Sequence, residues 1–212
     1  MGNTNKRLTF ALEPSIIYVV EEGVIMYYER YSKGVIEPFA IEAIAKSFNS
    51  KYAEYRQPTN TDNFDFLSPD GLCAVEVVTV IPENERKAYV YESELSKGKI
   101  NLKTSGIKGM VLKEDGSLFS YYGGSISEII DAIKKAIREK STKAERRKHL
   151  QPFDSVDLCV CVQDGSLMDL RSYQLVDFDF SEVPFANIFF ITPSYFIRYS
   201  KNSSFEEYQL IY

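Results

Sequence analysis

Two acids stand where a strand would normally carry an apolar neighbour. In DNFDFLSPDGLCAVEVVTV, residues 62–80, Asp65 lies between Phe64 and Phe66, and Glu76 lies between Val75 and Val77. The runs on either side of Ser68-Pro69-Asp70-Gly71 read as the arms of a β-hairpin, with strands near 62–67 and 72–80. A two-residue Pro69-Asp70 loop sets Asp65 against Ala74 and Asn63 against Glu76, which makes Asp65 and Glu76 diagonal neighbours on one face. Pro-Asp-Gly also suits a type I turn with a glycine bulge, and that one-residue slip brings Asp62 in place of Asp65 to the face of Glu76. Either register leaves an Asp beside a Glu. Like charges that close in an apolar setting call for a proton or a cation. A hard divalent ion such as Mg²⁺ or Mn²⁺ takes oxygen donors of this kind. The reading without chemistry is a pair of acids at an exposed sheet edge, or acids paired with Lys or Arg.

Few other residues compete for a chemical role. His149 is the sole histidine and stands in a polar, basic stretch, so triads and histidine metal sites have little to draw on. Cys73, Cys159 and Cys161 all fall in apolar strand-like runs. The two-residue step from Cys159 to Cys161 puts them on one strand face and is not the C-x-x-C step of a zinc site, so they read as buried structural thiols. From Lys134 to Lys148 there are eight Lys or Arg against two Glu. In a chain of net charge −5 this is the one stretch suited to a polyanion. The plainer account is a solvated face whose cations complement a helix dipole.

These residues have to be positioned by elements legible in the pattern. Residues 8–31 alternate short apolar and aromatic runs about Glu21-Glu22-Gly23 and predict an amino-terminal β-hairpin. Pro38 suits a first helical position, and Phe39, Ile41, Ile44, Ala45, Phe48 and Tyr52 recur at helical spacing, which predicts a helix over 38–52. Residues 81–106 have weak periodicity, and the run around Glu114-Asp115-Gly116 reads as a second short hairpin. Ser125 and Glu128 form a capping box ahead of Ile129, Ile130, Ile133, Ala136 and Ile137, so a helix is expected from Ser125 to about residue 147. VDLCVCVQ, residues 156–163, is a continuous apolar strand of the kind buried on both faces. Residues 186–200 supply one or two more strands, and EYQLIY at the end suggests a last edge. The order predicts an α/β fold with a central mixed β-sheet flanked by helices. It divides into a hairpin extension over 1–36 and an α/β domain over 37–212.

A helix, an Asp in one strand, a Glu in the next, then a helix with a late lysine and a buried strand resembles the PD-(D/E)XK nuclease-like superfamily. The resemblance covers roughly residues 37–162 and is closest to bacterial branches in which the second acid stands in a phrase like "iEvT". AVEVVTV matches it loosely, and AIKKAIREKSTKAERR followed by DLCVCV matches the helix-then-strand part. It implies a restriction-endonuclease-like core and a hydrolase that cuts nucleic-acid phosphodiesters, with Asp65 and Glu76 as ligands of Mg²⁺ or Mn²⁺. The family's strand lysine falls two residues after its Glu, but position 78 is Val. Related families carry that lysine on the helix. Lys140 continues the stripe of Ile129, Ile133 and Ile137, which makes it the candidate, with Lys143 second. The competing reading of Lys140 is a stem lying over apolar surface with its amine in water. Some members also place a Glu on the first helix. Here Glu37, one turn before Ile41, is the candidate, with a cap before Pro38 as its competing reading, and Glu42, the alternative, lies off the stripe.

The bulk composition narrows the classes. At 212 residues, 44% hydrophobic and 26% charged, the chain suits one domain with a core of its own, or a domain with an appendage. No apolar run approaches a membrane span, and the start offers no signal-peptide pattern, so a cytoplasmic protein without a membrane partner is expected. Three functions are consistent with this: a metal-dependent nuclease, a nuclease-fold binding module made inactive by Val78, and a β-rich protein that forms a homodimer through its aromatic hairpin.

Overall fold

The computed structural model describes residues 8–9, 33–59, 63–81, 110–112, 118–120, 125–150, 152–162, 170–176, 179–192, 194–201 and 203–211. They form an α/β arrangement in which a mixed sheet carries a helix on each face. The strands are β1 (Leu8–Thr9), β2 (Phe66–Leu67), β3 (Cys73–Val80), β6 (Ser155–Val162), β7 (Asn187–Ile191), β8 (Tyr195–Ser200) and β9 (Ser203–Ile211), and their order across the sheet is β1-β9-β8-β7-β6-β3-β2. Strands β3, β6 and β7 run parallel, the pairs β2–β3, β7–β8 and β8–β9 are antiparallel, and β1 is parallel to β9. A separate two-stranded sheet, β4 (Met110–Leu112) with β5 (Leu118–Ser120), is the hairpin expected about residues 114–116.

Helix α1 (Lys33–Ser47) starts ahead of the boundary drawn at residue 37. Pro38 lies inside it and not at its first position, so the helix forgoes one backbone bond there. The helix also ends sooner than its apolar spacing suggested. The amides of Phe48 and Asn49 both bond the carbonyl of Ile44, and Asn49 caps a 3₁₀ turn over Ser50–Glu54. That turn, and not α1, carries Tyr52 into the core. Helix α2 (Ile126–Leu150) runs three residues past its expected end. Its capping box is present: the Ser125 amide donates to Glu128 Oε2 at 2.9 Å, and the Glu128 amide donates to Ser125 Oγ at 3.3 Å.

The pleat of the sheet sorts the core into two halves. Ala74, Val156, Leu158, Val160, Ile188 and Phe190 meet Ile129, Ile133 and Ile137 of α2. Val75, Val77, Cys159, Cys161 and Phe189 meet Ile36, Ala40 and Ile44 of α1 on the other face. Each fully buried isoleucine contributes about 2 kcal/mol by leaving water, which is what fixes α2 to the sheet. β6 is buried on both faces, with Asp157 the one charged residue in an otherwise apolar run.

At the amino terminus, Leu8 and Thr9 pair in parallel with Leu210 and Ile211, so β1 and not β9 is the last strand on that side. The rest of the expected 8–31 hairpin, and residues 82–106, lie outside the described residues. No described helix is long and apolar enough to cross a membrane.

Candidate functional site

Glu76 sits in the middle of β3, opposite Leu158 of β6, with its side chain on the α2 face. It is 1% exposed. A carboxylate so enclosed needs compensation, and α2 supplies it three times. Lys140 Nζ lies 2.5 Å from Oε1, Lys143 Nζ lies 2.8 Å from the same oxygen, and Arg147 Nη1 lies 2.9 Å from Oε2. The steps of three and four residues between these cations continue the stripe of Ile129, Ile133, Ile137 and Ala144, so one helix face is apolar at its start and cationic towards its end. The Arg147 side chain is 9% exposed, with its guanidinium over the ring of Phe64 at 5.0 Å. Lys140 and Lys143 open progressively to solvent, at 22% and 36%.

Asp65 reaches this region by a register that neither loop reading foresaw. The Gly71 amide bonds Ser68 O at 2.9 Å, and Ser68 N bonds Cys73 O at 2.9 Å, so Leu72 belongs to the loop as well. Gly71 takes φ +74°, the left-handed turn position that favours glycine. Phe66 therefore pairs with Val75 and Leu67 with Ala74. That register does not carry on through Asp65, because Phe64 packs on the α2 face and Phe66 on the α1 face, two residues that a continuous strand would point the same way. β2 begins only at Phe66, and Asp65 Oδ2 accepts the Val77 amide at 2.8 Å, so the carboxylate takes the place of a strand carbonyl. Asp62, the alternative first acid, lies outside the described residues.

Lys140 meets Glu76, and Lys143 joins it. Glu37 does not share their cluster. It lies inside α1 and is no residue outside a cap, because the helix begins at Lys33. It is buried, and its Oε2 accepts Gln57 Nε2 at 2.9 Å on the face opposite α2. Glu42 faces solvent and pairs with Lys46. Val78 packs against the α2-side core, where the family's strand lysine would otherwise stand. The basic stretch is split in use. Lys140, Lys143 and Arg147 turn to Glu76, Lys148 Nζ donates to Pro184 O at 2.6 Å, and Lys135, Arg138 and Arg146 stay exposed. Burial, with the nearby Lys201 charge adding to it, holds the Lys148 ammonium below its ordinary range. His149 is exposed.

Two participants escaped the sequence reading. Arg147 stands seven residues after Lys140, a two-turn step that marks it as a same-face partner. Asp157 interrupts β6 between Val156 and Leu158, the same signal as Glu76 in β3. It is buried on the α1 face, where Oδ2 accepts the Tyr52 hydroxyl at 2.6 Å and Oδ1 accepts Asn187 N at 3.0 Å and Nδ2 at 2.8 Å. Asn187 Oδ1 in turn accepts Arg198 Nε at 3.1 Å, and Arg198 pairs with Glu206 at 3.1 Å. Burial raises the Asp157 carboxyl above the usual range against the pull of its three donors. Burial, and then the Asp157 charge, push the Tyr52 phenol up. Cys159 and Cys161 are free and buried, and burial raises the Cys159 thiol further.

The chain matches no family model, no curated protein and no solved structure. Its chemistry is therefore read from the cluster itself. Three cations against one carboxylate leave positive charge in surplus where Lys140 and Lys143 meet solvent, and such a surplus attracts an anion. Among the described residues no group of three or more His, Cys, Asp or Glu gathers.

Proposed function

We propose that the chain is a metal-dependent nuclease with a restriction-endonuclease-like core, acting on nucleic-acid phosphodiesters at Glu76. The observation that carries this reading is the 2.5 Å approach of Lys140 to Glu76 across 64 residues of sequence. A helix lysine thereby stands beside the strand acid although position 78 is Val. The order α1, β2, β3, α2, β6, interrupted before α2 by the separate β4–β5 sheet, with β3 parallel to β6, supports the proposed core.

The ion this reading calls for is Mg²⁺ or Mn²⁺, which is held by one or two carboxylates together with substrate phosphates and water. Asp65 and Glu76 would hold the ion, which when bound would polarise the phosphodiester and acidify a water. Lys143 and Arg147 place positive charge where a scissile phosphate would gain negative charge. Lys140, buried along its stem and fixed by α2, would orient the attacking water. The exposed Lys135, Arg138 and Arg146 extend the cationic surface for the flanking strand.

Single- and double-stranded DNA and RNA incubated with the chain in Mg²⁺ or Mn²⁺ provide the test. Cleavage by the wild type, lost in Glu76→Gln and in Lys140→Met, is the expected result. A second reading, an inactive binding module of the same fold, is favoured by the full complement of cations on Glu76. Oligonucleotide binding in EDTA, with no cleavage in either metal, would establish that reading instead.

A further inference from the structure

Lys140, Lys143 and Arg147 meet on a single carboxylate, and among the described residues each donates to no acceptor but Glu76. Three positive charges against one negative leave a surplus of two, gathered at one point of the molecule. An ammonium offers three donors and a guanidinium five, so most of their hydrogen-bonding capacity is left for a second acceptor. The side chains are graded in depth. Arg147 lies innermost over Phe64, Lys140 is intermediate, and Lys143 meets solvent most. An anion entering from solvent meets two amines that can turn towards it without leaving Glu76, with a fixed guanidinium behind them. Partial burial strengthens each such contact, because water competes for it less. A divalent cation meets the reverse, since both Glu76 oxygens are held by cations and Asp65 Oδ2 is engaged by the Val77 amide.

We propose that this cluster is a metal-independent pocket for a phosphomonoester, presented to it as the terminal phosphate of a nucleic-acid strand. Charge selects the end of a strand over its interior. A phosphomonoester carries about −1.5 to −2 at neutral pH, close to the surplus of two, whereas an internal phosphodiester carries a single charge. Its three free oxygens also match three converging cations. Glu76 is then a positioning residue, which gathers the cations and offsets part of their mutual repulsion. The exposed Lys135, Arg138 and Arg146 belong to the same helix and supply charge for the phosphates that follow. The inference rests on the second reading above, a nucleic-acid binding module, and adds which part of the strand is held.

The test is fluorescence anisotropy of the full chain, in EDTA, with one DNA oligonucleotide prepared with a 5′-phosphate, with a 3′-phosphate or with two hydroxyl ends. At least one phosphorylated strand is expected to bind about tenfold more tightly than the hydroxyl-ended strand, the worth of a single charge-assisted hydrogen bond. The double variant Lys140→Met, Lys143→Met should bind all three strands alike. The double variant Lys135→Met, Arg138→Met should weaken all three and keep the preference, which sets loss of the pocket apart from loss of charge. Thermal denaturation with inorganic phosphate separates the group from the strand. Stabilisation of the wild type by phosphate, absent from the Lys140, Lys143 variant, upholds the pocket even where no strand binds, and in that case removes nucleic acid as its ligand. Measurable and equal affinity for the three strands overturns the proposal, as does a preference that appears only when Mg²⁺ is added. No strand bound and no stabilisation by phosphate overturns it as well. Cleavage in Mg²⁺ or Mn²⁺ decides the nuclease reading separately and enters none of these results. If the Lys140, Lys143 variant loses its far-ultraviolet circular dichroism, the comparison of strands on the wild type decides alone.

Discussion

Glu76 is the residue on which most of the polar chemistry on the α2 face depends. Removing one partner of a buried ion cluster leaves the others uncompensated, at a cost of about 3 kcal/mol. Glu76→Ala is therefore expected to lower stability by about that much, read as a shift in the urea midpoint, because three cations lose their shared acceptor. Asp157 offers a contrast on the opposite face. Its carboxyl is raised in the folded chain, so the folded state holds a proton that the unfolded state has already released. Its contribution to stability is present in full below the ordinary carboxylate range and is lost as pH rises through the folded value. Asp157→Asn should remove that part of the pH dependence, seen as a flatter curve of unfolding free energy between acid and neutral pH. Glu76 and Lys140 were legible because acid and lysine each interrupt a clear apolar period. Asp157 sent the same signal, but its strand lacked a neighbouring acid to draw notice to it. Arg147 was masked by the abundance of charges around it.

Among the elements, α2 was the most legible, because its capping box and isoleucine stripe agree with each other. Ser125→Ala should cost about 1 kcal/mol, the usual worth of a helix N-cap, measurable by chemical denaturation. The hairpin of β2 and β3 was seen as an element and missed as a register. Composition identifies Ser68-Pro69-Asp70-Gly71 as a turn but does not reveal that Leu72 joins the loop. Asp70 Oδ1 accepts the Leu72 amide at 3.0 Å, and this bond draws Leu72 out of the strand. Gly71→Ala meets no atom within 4 Å, so its cost is backbone strain alone, about 1 kcal/mol. A larger loss in thermal denaturation would mean that the turn also governs how Asp65 is placed. α1 was misplaced for a different reason. Proline statistics favour a first-turn position, and here the packing of Ile36, Ala40 and Ile44 against the sheet outweighs the missing backbone bond.

For the molecule as a whole, the net charge of −5 opposes general attraction of nucleic acid, and among the described residues the cationic face of α2 is the surface suited to carry binding. The logarithm of oligonucleotide affinity should fall with the logarithm of salt concentration at a slope of about −2 to −3, as expected for a few phosphate contacts. Filter binding across a salt series measures it, and a much steeper slope would point to a surface beyond this helix. Fold class was readable at this scale because alternating elements with a doubly buried strand admit few arrangements.

The parallel pairing of β3 with β6 requires the chain to leave the sheet, form α2 and return before the two strands meet. Glu76 consequently finds its cations only 64, 67 and 71 residues later. During synthesis a ribosome carrying the first half of the polypeptide displays that acid with none of its counter-charges. Any activity of the site therefore waits for α2 to be made and docked, which keeps a half-finished chain chemically silent.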